Sequence, residues 1–195
     1  QILTLSSNHF SGSIPSSLYQ LTSLLQVFIN MNQLTGTISN ELGQLTELQM
    51  LVFAANALSG TIPSQINQLM ALKQMHVYSN TLSGTVPSEV LELTSLELLY
   101  VYSNHLTGTI PTAVGQLTSL KQLSFSMNEM TGTIPDTIGQ LSTLEAIYFH
   151  TNQLTGTIPS EVGRLLSLSI LAFHTNTLTG TIPFEVEGLL KLELF

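Results

Sequence analysis

The chain contains no cysteine. That excludes a disulfide framework, thiolate metal sites and thiol chemistry, and it leaves the redox compartment unread. Charge is scarce: four Lys and Arg against twelve Asp and Glu make up 8% of 195 residues, where ordinary soluble domains carry roughly 25%. The acidic balance argues against nucleic acid or an anionic membrane as a partner. No apolar run is long enough to span a bilayer, so no membrane insertion is expected of this segment. The opening residues Gln1-Ile2-Leu3-Thr4-Leu5 have neither a basic stretch nor a cleavage site, so they are not expected to be a secretory signal. Asn is abundant, yet none stands in an Asn-X-Ser/Thr acceptor sequence. There is no nucleophile elbow, no phosphate-binding Gly loop and no kinase signature, so neither catalysis nor a cofactor is expected.

What fills the sequence instead is repetition at a period of 24. Asn returns at Asn8, Asn32, Asn56, Asn80, Asn104, Asn128, Asn152 and Asn176. Four residues after each stands a Gly, from Gly12 to Gly180, and three further on a Pro, with Ser39 the single exception. No insertion or deletion breaks the register. A fixed period in this range is the mark of a solenoid, in which each unit buries its apolar face only against its neighbours. Residues 1–195 therefore read as a single domain of about eight 24-residue repeats.

The apolar positions are set relative to each Asn. Pairs five and three residues before it, such as Leu51/Phe53, Leu99/Val101 and Leu123/Phe125, alternate with a period of two and predict a short strand with one face buried. Leu106 and Ile110, with their equivalents in the other units, mark a second extended leg. Spacings of three to four in Val114, Leu117 and Leu120 predict a short helical or 3₁₀ return. An Asn amide both donates and accepts, so Asn32, Asn56, Asn80, Asn104, Asn128, Asn152 and Asn176 are read as structural. They are placed to satisfy backbone groups from one coil to the next.

The pattern L-x-x-L-x-x-L-x-L-x-x-N-x-L-x-G-x-I-P, seen in Leu45 to Pro63, resembles the plant-type leucine-rich repeat family. That family includes ectodomains of receptor-like kinases and receptor-like proteins, and polygalacturonase-inhibiting proteins. The resemblance implies an α/β solenoid: a right-handed leucine-rich-repeat superhelix with a parallel β-sheet on the concave face. It also implies a short second strand, with 3₁₀ or short helical segments on the convex side. It implies binding of a protein or peptide, outside the cell or at its surface. The family's capping cysteine pairs are missing. The chain opens inside a strand, and a further strand would start at Leu194-Phe195. It is therefore expected to be an internal fragment lacking both caps, with neighbouring repeats or caps in the full-length protein. Within the family, receptors for peptides with a free C-terminal carboxylate use paired inner-face arginines. Here the sole arginine, Arg164, lies on the return leg.

The informative positions are those the repeat leaves free. Residues four and two before the Asn point away from the strand's buried face. These two columns supply the candidate concave ligand-binding residues: Phe28, Asn30, Val52, His76, Tyr78, Tyr100, Tyr102, Tyr148, His150 and His174. Neighbouring strands lie about 4.8 Å apart, so His76, Tyr78, Tyr100 and Tyr102 are expected to form one patch. Tyr148, His150 and His174 form another across a Ser124/Ser126 gap. Tyr suits binding hot spots because it buries much area at small entropic cost. His150 and His174 could chelate a metal, but no third ligand stands in these columns, so no metal site is expected.

A second array is the alternative. Thr37, Thr61, Thr85, Thr109, Thr133, Thr157 and Thr181 stand five residues after their Asn, beside a Ser/Thr column two positions earlier. An outward ladder of hydroxyls and methyls resembles an ice-binding face, or follows from duplication of an exposed strand. A purely structural spacer is the third reading.

Overall fold

The computed structural model describes residues 1–193; the strand start expected at Leu194-Phe195 lies outside them. Eight coils, numbered here by their Asn from Asn8 to Asn176, stack in register. Each opens with a three-residue strand, and the eight strands from Ile2–Thr4 to Ile170–Ala172 form one parallel sheet in sequence order. Pairing is offset by one full repeat throughout, as in Leu99↔Leu123 and Ser124↔Tyr148. The second leg is extended as well. Its strands Ser59–Gly60, Thr81–Thr85 and His105–Thr107 pair in parallel, and isolated bridges at Thr37↔Ser59 and Thr109↔Thr131 continue the ladder. In the later coils the backbone bonds persist, with Thr155 N donating to Gly132 O at 2.8 Å and Thr179 N to Gly156 O at 2.7 Å.

The return leg is a five-residue 3₁₀ helix in every coil, from Ser16–Gln20 to Phe184–Gly188. Proline precedes seven of the eight in an extended conformation, as at Pro111 with φ −67°. Its ring fixes φ, and it has no N–H to leave unsatisfied at a helix start. Ser39 does the same work differently: its Oγ accepts from Glu41 N at 3.2 Å.

The core is a continuous apolar column. Leu51, Val77, Leu99, Leu123 and Ile147 are fully buried, as are Phe53, Phe125 and Phe149. Phe125 stacks on Phe149 at 5.5 Å and Phe149 on Phe173 at 5.6 Å between ring centres. On the convex side glycine makes room for the next coil at Gly43, Gly115, Gly139 and Gly163. A Cβ at Gly139 would stand 2.5 Å from Glu161 O. Leu91 fills the equivalent slot in coil 4 and is fully buried, and there the 3₁₀ helices of coils 4 and 5 approach less closely than most neighbouring pairs.

The Asn ladder holds each turn. Asn104 Nδ2 donates to Val101 O at 3.0 Å within its own coil and to Val77 O at 3.1 Å in the preceding one. Its Oδ1 accepts from Leu82 N of that preceding coil, again at 3.0 Å. The residue before each Asn is left-handed: Ser103 has φ 57° and Met127 φ 54°, and the same holds in all eight coils without one glycine. Such a backbone is strained for a non-Gly residue. Here it is clamped from the next coil, as Ser103 N donates to Ser126 O at 3.0 Å and Asn104 N to Met127 O at 3.3 Å.

The Asn8 side chain in coil 1 donates to Leu5 O and Ser6 O, both of its own coil. Replacing Asn104 with Ala leaves buried donors and acceptors in two coils unpaired, at about 1–3 kcal/mol for each such group. Asn104→Ala should therefore cost about 3 kcal/mol or more in urea unfolding, and Asn8→Ala about 1 kcal/mol or less. Equal costs would show that the bonds between coils are not what the side chain contributes.

Candidate ligand-binding face

The parallel sheet presents its outward columns on the concave side. Strand register brings His76 beside Tyr100, and Ser124 between Tyr100 and Tyr148. The first patch forms as expected. His76 meets the edge of Tyr100 at 4.8 Å, and Tyr78 stacks face to face on Tyr102 at 4.4 Å. Across the sheet His150 and His174 lie 4.5 Å apart. Among the described residues no group of three metal-ligating side chains joins them.

Val52 is a correction. It is only 8% exposed, and Ala54 is fully buried. Val52 pairs with Phe28 on one side and His76 on the other, so the expected outward residue is largely covered by taller neighbours. Phe28 and Asn30 thereby stand apart from the aromatic patch, and Asn30 Oδ1 is engaged by Ser6 Oγ at 2.6 Å.

The Ser124/Ser126 gap is a cleft of about 370 Å³ rather than a flat interval. Tyr100 and Tyr102 form one wall; Tyr148 and His150 form the other. Ser124 and Ser126, each 3% exposed, are the floor, with their hydroxyls 3.2 Å apart. Two lining residues come from positions the alternation does not flag. Gln122 lies six before its Asn, in a third outward column, and the Tyr100 hydroxyl donates to its Oε1. Met127 is the left-handed residue of coil 6, which turns its side chain onto the rim; it is 49% exposed. The two-residue period of the strand ends before Met127, so only knowledge of the turn could have found it.

The cleft is uncharged. Burial, then the neighbouring Tyr78 and Tyr100, push the Tyr102 phenol up to about 12. Burial raises Tyr100 too, followed by the Tyr148 phenol facing it. Burial holds His150 below its ordinary value, and the adjacent His174 adds to this. His76 is lowered by burial, and its Nε2 is enclosed without a hydrogen-bond partner. Charged contacts lie elsewhere, on exposed flanks, as in the Lys121–Glu97 ion pair at 2.7 Å; His105 Nδ1 meets Glu129 Oε1 there at 3.0 Å.

The threonine ladder faces outward in both columns, but its two rows differ. In the earlier row the hydroxyl is spent, since Thr107 Oγ1 donates to Gly84 O and Thr131 Oγ1 to Gly108 O, both at 3.3 Å. In the later row the methyl is seated. A Cβ at Gly108, where φ is +79°, would stand 2.7 Å from the Thr85 methyl, and the contact recurs along the ladder.

The Leucine Rich Repeat family model matches residues 1–21, 95–117 and 119–141. Among solved structures, the plant peptide hormone receptor RGFR1 in complex with RGF2 superposes with a TM-score of 0.97 and 36% identity, over 98% of this chain and 31% of that one. The chain is a leucine-rich-repeat solenoid. The leucine-rich-repeat ectodomain of the Arabidopsis receptor kinase HAESA, in complex with an extended IDA peptide hormone, matches with a TM-score of 0.95 and 32% identity, over 98% of this chain and 32% of that one. A plant ice-binding protein matches with a TM-score of 0.78 and 27% identity, over 94% of this chain and 66% of that one. The solenoid thus spans about a third of the length of the receptors it matches. Comparison with curated proteins gives no match. Among the described residues no helix is long and apolar enough to cross a membrane.

The lowered imidazoles make the solenoid's stability depend on pH. Folded values below the ordinary 6.5 mean that protonation favours the unfolded chain. The stability contributed by neutral His76 and His150 is thus complete above about pH 6.5 and lost as pH falls through their lowered values. His76→Gln with His150→Gln should flatten the fall in Tm between about pH 7 and pH 5. The same slope in both proteins would show that the rings are not desolvated.

Proposed function

We propose that this solenoid is a non-catalytic recognition module that binds a peptide or protein ligand on its concave sheet, outside the cell or at its surface. The observation that carries the reading is the aromatic wall from His76 to Tyr102 beside the Ser124/Ser126 cleft. The eight coils repeat their core and their Asn, Gly and Pro, yet differ from one another on this face. Tyr and shallow clefts are what protein and peptide interfaces use as anchors. Similarity to peptide-hormone receptors supports the same reading. The uncharged face and the acidic chain disfavour nucleic acid as a partner.

The test is selection of peptides from a displayed random library on the intact chain. Selected peptides should lose about 2 kcal/mol or more of binding free energy in Tyr78→Ala, Tyr100→Ala or Tyr148→Ala. Peptides whose binding ignores all three substitutions would remove the concave face as the site.

A second reading is favoured by the outward row Thr37, Thr61, Thr85, Thr109, Thr133, Thr157 and Thr181, whose seated methyls give it a uniform arrangement, and by similarity to the ice-binding protein. It uses a different face. Ice grown in the presence of the chain should then be faceted, Thr109→Tyr should abolish the faceting, and Tyr100→Ala should leave it unchanged. Ice growth indistinguishable from buffer would eliminate this reading.

A further inference from the structure

We propose that the cleft between Tyr100–Tyr102 and Tyr148–His150 is a subsite for a neutral sugar ring, either a free oligosaccharide or a glycosyl group carried on a peptide. This rests on the reading of the concave sheet as a recognition surface and names the chemistry that one part of it takes.

The floor carries the argument. Ser124 and Ser126 bring two hydroxyl hydrogens, and their mutual contact at 3.2 Å uses one of them. The other O–H has no protein partner, although both residues are almost wholly buried. Gln122 adds to this: its Oε1 is taken by the Tyr100 hydroxyl, which leaves both amide hydrogens available. The cleft thus offers unspent donors at its base between aromatic walls. A sugar ring matches both features, with hydroxyls for the donors and flat C–H faces for the phenols. The volume of about 370 Å³ lies in the range of small-ligand clefts.

Other occupants fit less well. A carboxylate or phosphate would find no Lys or Arg in the lining, on a chain with net charge −8. A cation would find aromatic faces but no carboxylate, in surroundings that already hold His150 neutral. An aliphatic side chain would seal the spare O–H and the Gln122 amide away from any partner.

The experiment is an array of short neutral glucan, mannan, xylan and N-acetylglucosamine oligosaccharides, each printed free and coupled to a carrier peptide, probed with the intact chain. At least one glycan should bind. Its affinity should fall about tenfold or more in Tyr148→Ala and in the floor-filling Ser126→Leu, and stay within about threefold in Tyr148→Phe, which keeps the ring. Circular dichroism shows whether Ser126→Leu folds; Tyr148 is half-exposed, so Tyr148→Ala tests the site independently. Binding to free and coupled forms alike identifies a free oligosaccharide, and binding to the coupled form alone a glycosylated peptide. No binding in either form, or binding that survives Tyr148→Ala, overturns the proposal. Library peptides that bind through Tyr78 and Tyr100 while no glycan on the array binds would overturn it too, leaving the recognition reading intact.

Discussion

The structure depends on one side chain, the Asn amide repeated at every coil. A strand that ends after three residues and turns back leaves carbonyls facing inward, where no water reaches them. Asn128 meets this with donations to Phe125 O, Ser126 O and Val101 O, while its Oδ1 accepts from Leu106 N at 2.9 Å. Two of those partners belong to the preceding coil, so the group that satisfies one turn also fixes its distance from the last. Coil spacing then dictates the rest. It sets the stacking of Phe125 on Phe149, the requirement for glycine opposite each threonine methyl, and the separation of side chains along every concave column.

Much of this was legible because the repeat is so regular. The period of 24, the two-residue alternation around Leu123 and Phe125, and the spacing of Val114, Leu117 and Leu120 gave strand, core and 3₁₀ return in their places. Two things were not legible. The left-handed turn residues are Ser, Met, Ala and Thr, none a residue type that favours positive φ, and what holds them in coils 1 to 7 is hydrogen bonding from the next coil. The cleft escaped for a related reason. Small residues at Ser124 and Ser126 read as a gap, but the depth of a gap is set by what stands on either side. Val52 and Ala54 are also short, yet both are buried, and Val52 lies between the taller Phe28 and His76.

The two outward faces stand in different relations to the scaffold, and this orders the functional readings. On the threonine side the uniformity has a structural cause. The earlier hydroxyl bonds a glycine carbonyl of the preceding coil, and the later methyl fills the space that a missing Cβ leaves in the next. A coil that changed either residue would lose packing or a hydrogen bond whether or not anything bound there. Regularity on that side is therefore weak grounds for a ligand. On the concave side the backbone ladder and the core make no demand on residues four and two before the Asn. Aromatics cluster there all the same, and they enclose a cleft whose floor keeps an unspent donor. Desolvating Tyr102, His76 and His150 lowers the stability of their charged forms, and nothing in the folding of the coils requires it. A feature that the scaffold neither needs nor benefits from is better explained by what it contacts, which places the concave sheet ahead of the threonine ladder.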